Sequence, residues 1–232
     1  VCYYYSPDRK GARPKAHLEN YQGVLHADAY AGYDRLYPNK DNPNSTISEA
    51  ACWAHTRRKF YEVTVANNNA IIATTVLEQM SDIYKIEADI KGFDPAERLK
   101  ERQLKSKILV EEFFKNIEEA LSKLPQKGST AKAIRYALNN KEALMRFLED
   151  GKIEIDNNAA ERAMRSVALG RKNWMFAGSD NGGNTAATFY TIIETAKLNN
   201  VNPWLYLSKV LSIIQDYNSN KLADLLPWNL KL

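Results

Sequence analysis

Cysteine is scarce, with only Cys2 and Cys52 in 232 residues. That excludes the disulfide framework of a small secreted scaffold and makes a reducing cytoplasm the simpler setting. No apolar run reaches the roughly 20 residues of a membrane-spanning helix, and no signal-peptide pattern opens the chain. A soluble intracellular protein without membrane partners is therefore expected. Internal repeats and low-complexity tracts are lacking, as is a convincing Ser or Cys constellation for covalent catalysis. An initiator Met is also missing. Val1-Cys2-Tyr3-Tyr4-Tyr5 is β-branched and aromatic from the first residue, the composition of a strand entered midway, so an upstream part is expected to have been removed.

What remains is ordinary globular material, 44% apolar and 26% charged, able to form a hydrophobic core as one large domain or as a core with an insertion. The formal net charge is +4 and the pI near 8.9, but clustering matters more than the sum. Arg57-Arg58-Lys59 and Arg171-Lys172 would suit a polyanion such as nucleic acid, while on charge alone a solvated basic face is the commoner explanation.

The opening third has α/β character. A strand is expected over residues 1–6, a helical turn or two around Ala16–Tyr21, a strand from Gly23 ending on Asp28, a short helix over Tyr33–Tyr37 and a strand over residues 47–54. From His55 to Leu124 apolar residues recur at three- and four-residue steps. Lys91-Gly92-Phe93-Asp94-Pro95 should break that stretch, and a second long helix over 95–124 should turn Leu99, Leu104, Ile108, Leu109, Phe113, Ile117 and Leu121 to one side. Further helices are expected at 130–138 and 141–148, then a short strand over Lys152–Ile155. Asp156 is placed to cap a helix from Asn157 to about Val167. Lys172–Ala177 reads as a strand and Ser179–Gly183 as a turn. A helix over 185–198, apolar on most sides and so expected to be buried, precedes one starting at Pro203.

A carboxylate at the end of a strand, as Asp28 would be, points to where loops and ligands meet. Glu161 would lie on the second turn of the helix capped by Asp156. Two such acids can share hard divalent cations if the fold brings them together. Spacing alone favours a turn-forming Asp28 and a Glu161 paired with Arg165 at i+4.

The surrounding words change that balance. His26-Ala27-Asp28-Ala29-Tyr30-Ala31-Gly32-Tyr33 and Ala51-Cys52-Trp53-Ala54-His55-Thr56-Arg57-Arg58-Lys59-Phe60 are followed by Ile155-Asp156-Asn157-Asn158-Ala159-Ala160-Glu161-Arg162-Ala163-Met164-Arg165. Leu169-Gly170-Arg171-Lys172-Asn173-Trp174 and Phe176-Ala177-Gly178-Ser179 complete the set. In this order they resemble the insertion sequence 66 family of bacterial transposases, from about Tyr4 to the Leu225-Leu226-Pro227-Trp228 tail.

The resemblance implies an α/β, predominantly helical chain: a truncated ribonuclease H-like core with a large all-helical insertion. Residues 1–56 would be the truncated core, 57–150 the insertion, 151–217 the remainder of the core with C-terminal helices, and 218–232 a tail. Asp28 matches the second and Glu161 the third acid of an Asp-Asp-Glu triad. The first acid would lie upstream, and Asp8 is a poor substitute, so an inactive fragment is implied. Two Mg²⁺ (or Mn²⁺) ions are implied in the full-length enzyme. The implied partners are DNA, as transposon ends and target, further copies of the chain, and accessory proteins of the same element.

Arg162, Arg165, Arg171 and Lys172, with Arg57, Arg58 and Lys59, would contact phosphate or support the site. Each could equally belong to a surface salt-bridge network. A structural zinc site needs four ligands, for which the chain offers only Cys2, Cys52, His17, His26 and His55. The resemblance places Cys52 and His55 just after the strand that follows Asp28, which implies packing and positioning beside the active site. Trp53 and Trp174 are read as core anchors in preference to base-stacking platforms. Rival readings are a non-catalytic DNA-binding or assembly module and a junction-resolving nuclease, the latter opposed by the helical stretch and the Cys-x-x-His word.

Overall fold

The computed structural model describes residues 1–28, 31–40, 42–67 and 69–230. The chain divides into two compact units, Lys10–Asn158 and the combination of Val1–Arg9 with Ala159–Leu232. It is predominantly helical, with one two-stranded parallel sheet among the described residues, in line with a mostly helical α/β chain. No helix among them is long and apolar enough to cross a membrane.

In the unit Lys10–Asn158, helix α1 (Ala12–His17) precedes strand β1 (Gly23–Ala27), which pairs in parallel with β2 (Ile47–Ala51) in the register Gly23↔Ile47 to Ala27↔Ala51. Parallel pairing requires a crossover, and the connection includes a 3₁₀ helix, Ala31–Leu36. β2 ends sooner than expected because Trp53 already opens α2 (Trp53–Ala66). There follow α3 (Ile71–Asp89), α4 (Pro95–Glu101), a π-helical stretch (Arg102–Ser106) and α5 (Lys107–Ser122). Next come α6 (Ser129–Asn139) and α7 (Lys141–Met145), which runs into a 3₁₀ turn, Arg146–Leu148.

Each long helix turns one stripe inward. Phe60 and Val63 come from α2, Val76, Met80 and Ile83 from α3, Val110, Phe113 and Ile117 from α5, and Ile134 and Ala137 from α6, all buried. Three- and four-residue steps keep each set on one face. Trp53 is the anchor expected of it. It is fully buried, its indole N–H donates to the Leu144 carbonyl at 2.8 Å, and its ring lies 5.2 Å from Phe113 and 6.1 Å from Phe147. A large apolar side chain removed from water in this way contributes about 1.5–3 kcal/mol.

Several local expectations are corrected. The helical stretch after His55 is interrupted at Asn67, which turns extended while its side-chain oxygen accepts the Asn69 N–H at 3.0 Å, a local bond that competes with helix continuation. In the segment 95–124 Phe113 and Ile117 face the core as expected, but the turns before them do not follow the apolar stripe. Leu104 and Ile108 are 61% and 62% exposed, whereas Arg102 and Ser106 are buried. The reason is a charge. The Arg102 guanidinium donates through Nε and Nη2 to the Glu87 carboxylate at 2.8 and 2.6 Å, and through Nη1 to the carbonyls of Phe147, Asp150 and Ile153.

The same network abolishes the strand expected over Lys152–Ile155. There the Ile153 carbonyl is taken by Arg102, Glu154 pairs bidentately with Arg98, and the Ile155 carbonyl accepts the Trp53 N–H. With its polar groups satisfied elsewhere, the segment has no need of a ladder.

The second unit contains α8 (Asn158–Asn173, from Ala159 onward), α9 (Asp180–Leu198) and α10 (Pro203–Ile213). Short 3₁₀ helices follow at Ile214–Asp216 and Ser219–Leu225. Residues 1–6 form no strand. The Tyr3 N–H donates to Thr191 Oγ1 at 2.9 Å and the Val1 carbonyl accepts from Thr195 Oγ1, so side chains of α9 take the bonds that a neighbouring strand would have taken. β-propensity without a partner strand does not make a strand.

The strand expected over Lys172–Ala177 is absent because α8 runs on to Asn173, and Ser179 is not a turn residue but the N-cap of α9, accepting from Gly182 N–H at 3.1 Å. α9 is also less buried than its composition suggested, with Phe189 exposed, and Trp174 is exposed rather than a core anchor. Asn200, in the left-handed region at φ 57°, follows the end of α9, and Asn202 caps α10 through the Trp204 and Leu205 N–H groups. Tyr206 is buried, its hydroxyl donating to the Leu225 carbonyl.

Glu87→Gln leaves the Arg102 cation buried with only neutral acceptors and is expected to destabilise the chain by about 3–5 kcal/mol. The urea midpoint should fall accordingly. Replacing both residues, Arg102→Met with Glu87→Leu, should cost less than either single change; a larger loss in the double variant would show that the pair does not act as a unit.

Candidate active site

Asp28 is the first residue after β1 and Cys52 the first after β2. Since Ala27 and Ala51 are register partners, these two positions adjoin at the carboxyl edge of the parallel pair. Ligands gather at such edges because loops and helix N-termini meet there, and α2 begins one residue further on. The Asp28 side chain is exposed. Ala29 and Tyr30, part of its motif, lie outside the described residues.

Two tyrosines feel the Asp28 charge. Burial and then Asp28 push the Tyr136 phenol up. Burial followed by Glu49 does so at Tyr37, with Asp28 among the smaller contributions. The Lys59 ammonium lies 5.7 Å from the centre of the Tyr136 ring. Arg57, Arg58 and Lys59 are all exposed on α2. An exposed carboxylate is a hard oxygen ligand of the kind Mg²⁺ or Mn²⁺ accepts, and cations nearby suit a phosphate.

Cys52 is buried, and burial pushes its thiol up even though the Asn157 N–H donates to Sγ at 3.5 Å. A thiol held protonated suits packing and positioning, not nucleophilic attack. His55 is half-buried on the first turn of α2. Beside Asn157, the Asp156 carboxylate accepts from the Asn158 N–H at 3.1 Å, the Asn158 side-chain amide at 2.7 Å and the Tyr84 hydroxyl at 3.4 Å. Asp156 thus caps the start of α8, as expected of it.

His26, on β1, is held below its ordinary value by burial, with the Ala51 backbone and the Asp156 and Glu154 charges pulling the other way. Its Nε2 has no hydrogen-bond partner, nor have Asn157 Oδ1 and Thr56 Oγ1.

Glu161 is half-buried in the first turns of α8, and Arg162, Arg165, Arg171 and Lys172 are exposed on the same helix. These five belong to the unit containing Ala159–Leu232, whereas Asp28, Cys52, His55 and the Arg57–Lys59 run belong to Lys10–Asn158. Among the described residues no three His, Cys, Asp or Glu side chains are grouped as a metal site. Sequence reasoning missed Tyr136, Tyr37 and Tyr84, since an isolated tyrosine within a helix or loop carries no local motif. The only signal was their polar tip at otherwise apolar positions.

The model of the family described as "Transposase IS66 family" matches residues 1–185, and that of the "IS66 C-terminal element" matches residues 191–228. The chain belongs to the IS66 family of transposases. Three proteins of Sinorhizobium fredii (strain NBRC 101917 / NGR234) are similar along the whole chain. The uncharacterized protein y4qI is 41% identical, y4hP 38% and y4jD 36%, and the chain covers 43%, 44% and 46% of their respective lengths. The chain therefore spans less than half of these curated relatives. No solved structure matches it.

The folded-state value of His26 lies below its unfolded value near 6.5, so the stability contributed by the neutral ring is complete above about pH 6.5 and is lost as pH falls through the folded value. His26→Gln should flatten this part of the profile. The check is the difference in urea midpoint between parent and variant from about pH 8 to about pH 5; a constant difference would refute the buried-neutral assignment.

Proposed function

We propose that this chain is the portion of a DDE transposase that carries the second and third metal-binding carboxylates, Asp28 and Glu161. The observation that carries the reading is the placement of Asp28 at the carboxyl edge of a parallel strand pair, in a chain that belongs to this family. The core is ribonuclease H-like, formed by residues 1–56 and 151–217, with 57–150 as a helical insertion and 218–232 as a tail. The apolar core shared by α2, α3, α5 and α6 supports that division.

The reaction is DNA strand cleavage and strand transfer. Water or a DNA 3′-OH attacks phosphorus, the P–O bond on the far side breaks, and its oxygen leaves with the strand. Bound Mg²⁺ or Mn²⁺ ions, two in the full-length enzyme, supply Lewis-acid activation and charge neutralisation. Asp28 and Glu161 offer them carboxylate oxygens. Arg162, Arg165, Arg171 and Lys172, with Arg57, Arg58 and Lys59, hold the phosphodiester backbone, and Arg165 also orients Glu161 one turn away. Cys52 and His55 keep the carboxyl edge in place. The partners are transposon ends, target DNA, further copies of the chain and accessory proteins of the element, in the bacterial cytoplasm.

In the full-length protein, Asp28→Ala and Glu161→Ala should each lower transposition on the order of a thousandfold or more while leaving binding to transposon ends intact. Unimpaired transposition in either variant would favour a non-catalytic assembly module. Without the first acid, the 232-residue chain should not cleave DNA with Mg²⁺; vigorous cleavage would remove the missing-acid part of the proposal.

A further inference from the structure

We infer that the unit formed by Val1–Arg9 and Ala159–Leu232 holds a pocket for one unpaired DNA base, with Trp174 and Phe176 as stacking platforms and Arg171 as the adjoining phosphate contact. The inference rests on the DNA-processing reading above and adds to it a site that takes a base out of the helix. A cleft of about 390 Å³ is lined by Tyr3, Tyr5, Met164, Arg171, Trp174 and Phe176 among others, within the size range of small-molecule pockets. Its aromatic rim is in water. Trp174 is 58% exposed, Phe176 83% and Tyr4 66%, a concentration that isolated surface apolar residues do not produce.

The cleft is shaped by close ring-to-backbone contacts. At Gly183 in α9, an added Cβ would lie 2.3 Å from the Tyr5 ring, and at Gly170 in α8 it would lie 2.2 Å from the Tyr190 hydroxyl and 3.1 Å from the Trp174 ring. Only glycine lets these rings rest on the two helices. The Tyr5 hydroxyl donates to Asp180 at 2.9 Å, the Tyr3 hydroxyl to the Ala163 carbonyl, and the Tyr3 and Tyr190 rings lie 5.8 Å apart. The floor is thus held in place before any ligand arrives, which lowers the ordering cost of binding.

Charge selects the occupant. α8 exposes Arg162, Arg165, Arg171 and Lys172, and Arg171 also lines the cleft. Fixed cations beside open aromatic faces match a nucleic-acid strand, whose backbone is anionic and whose every base has a π face. A base within a duplex is stacked on both sides, so the cleft takes one that is unpaired.

The test titrates the 232-residue chain with an oligonucleotide bearing 2-aminopurine in a single-stranded overhang, and with a blunt duplex of equal length. Binding of the overhang should quench the probe. Trp174→Ala and Phe176→Ala should each weaken overhang binding about tenfold and restore the fluorescence, with blunt-duplex affinity unchanged and Trp174→Phe close to the parent. Both aromatic side chains are exposed, so the variants should keep the parent's circular dichroism. If the alanine variants bind overhang and duplex as the parent does, the pocket is refuted and the DNA-processing reading stands. If the parent binds neither DNA, both fail. If the parent self-associates and Trp174→Ala abolishes that association, the cleft belongs to a second copy of the chain and the inference is overturned.

Discussion

A guanidinium enclosed in protein must have its N–H groups accepted by the chain, because no water can do it. Arg102 meets that demand with both oxygens of Glu87 and the carbonyls of Phe147, Asp150 and Ile153, while its planar face lies 5.1 Å from the centre of the Phe147 ring. The acceptors come from α3 and from the segment after α7, and the donor from the junction between α4 and α5. One cation therefore joins three parts of the chain that are far apart in sequence. It also explains why the arm between α4 and α5 buries a polar stripe and widens into a π-helical stretch, the kind of local irregularity that re-aims side chains.

The consequence reaches the candidate active site through backbone groups. With Ile153 bound to Arg102, and Glu154 to Arg98, the Ile155 carbonyl is left to accept the Trp53 N–H, and the Asn157 N–H meets Cys52. Trp53 and Cys52 stand just past β2, so the segment running up to α8 is tied to the carboxyl edge of the strand pair. Asp156 then satisfies the first N–H of α8 and takes the Tyr84 hydroxyl as well. Burial pushes the Tyr84 phenol up, the Asp156 charge adds to it, and the phenol stays protonated as a donor.

The two units obey different rules of burial. The helices of Lys10–Asn158 enclose Phe60, Met80, Ile83, Phe113 and Phe114 completely. In the other unit large apolar side chains, among them Trp174, Phe176, Trp204 and Leu211, remain in water, and the buried residues include Gly170, Gly183, Ala196, Tyr206 and Leu225. The first pattern is that of a self-sufficient core, and the second is that of a surface built for contact.

The sequence by itself determined the features that depend on neighbouring residues: the strands ending near Asp28 and Cys52, the inward stripes of α2 and α3, the Asp156 cap, the end of α9 at Leu198 and the Pro203 start of α10. Its words also pointed to the family. Short-range periodicity and capping chemistry are written within a few residues of where they act, so they can be read without the fold. Tertiary structure alone decided that Arg102 and Ser106 would be buried in place of Leu104 and Ile108, that Lys152–Ile155 and residues 1–6 would not be strands, and that Trp174 would face water while Trp53 did not. Each of those outcomes depends on a partner distant in sequence: Glu87 for Arg102, Thr191 for the Tyr3 N–H, Leu144 for the Trp53 indole. A hydrogen bond or a buried charge is satisfied by whatever the fold delivers to it, and no local pattern records who that will be.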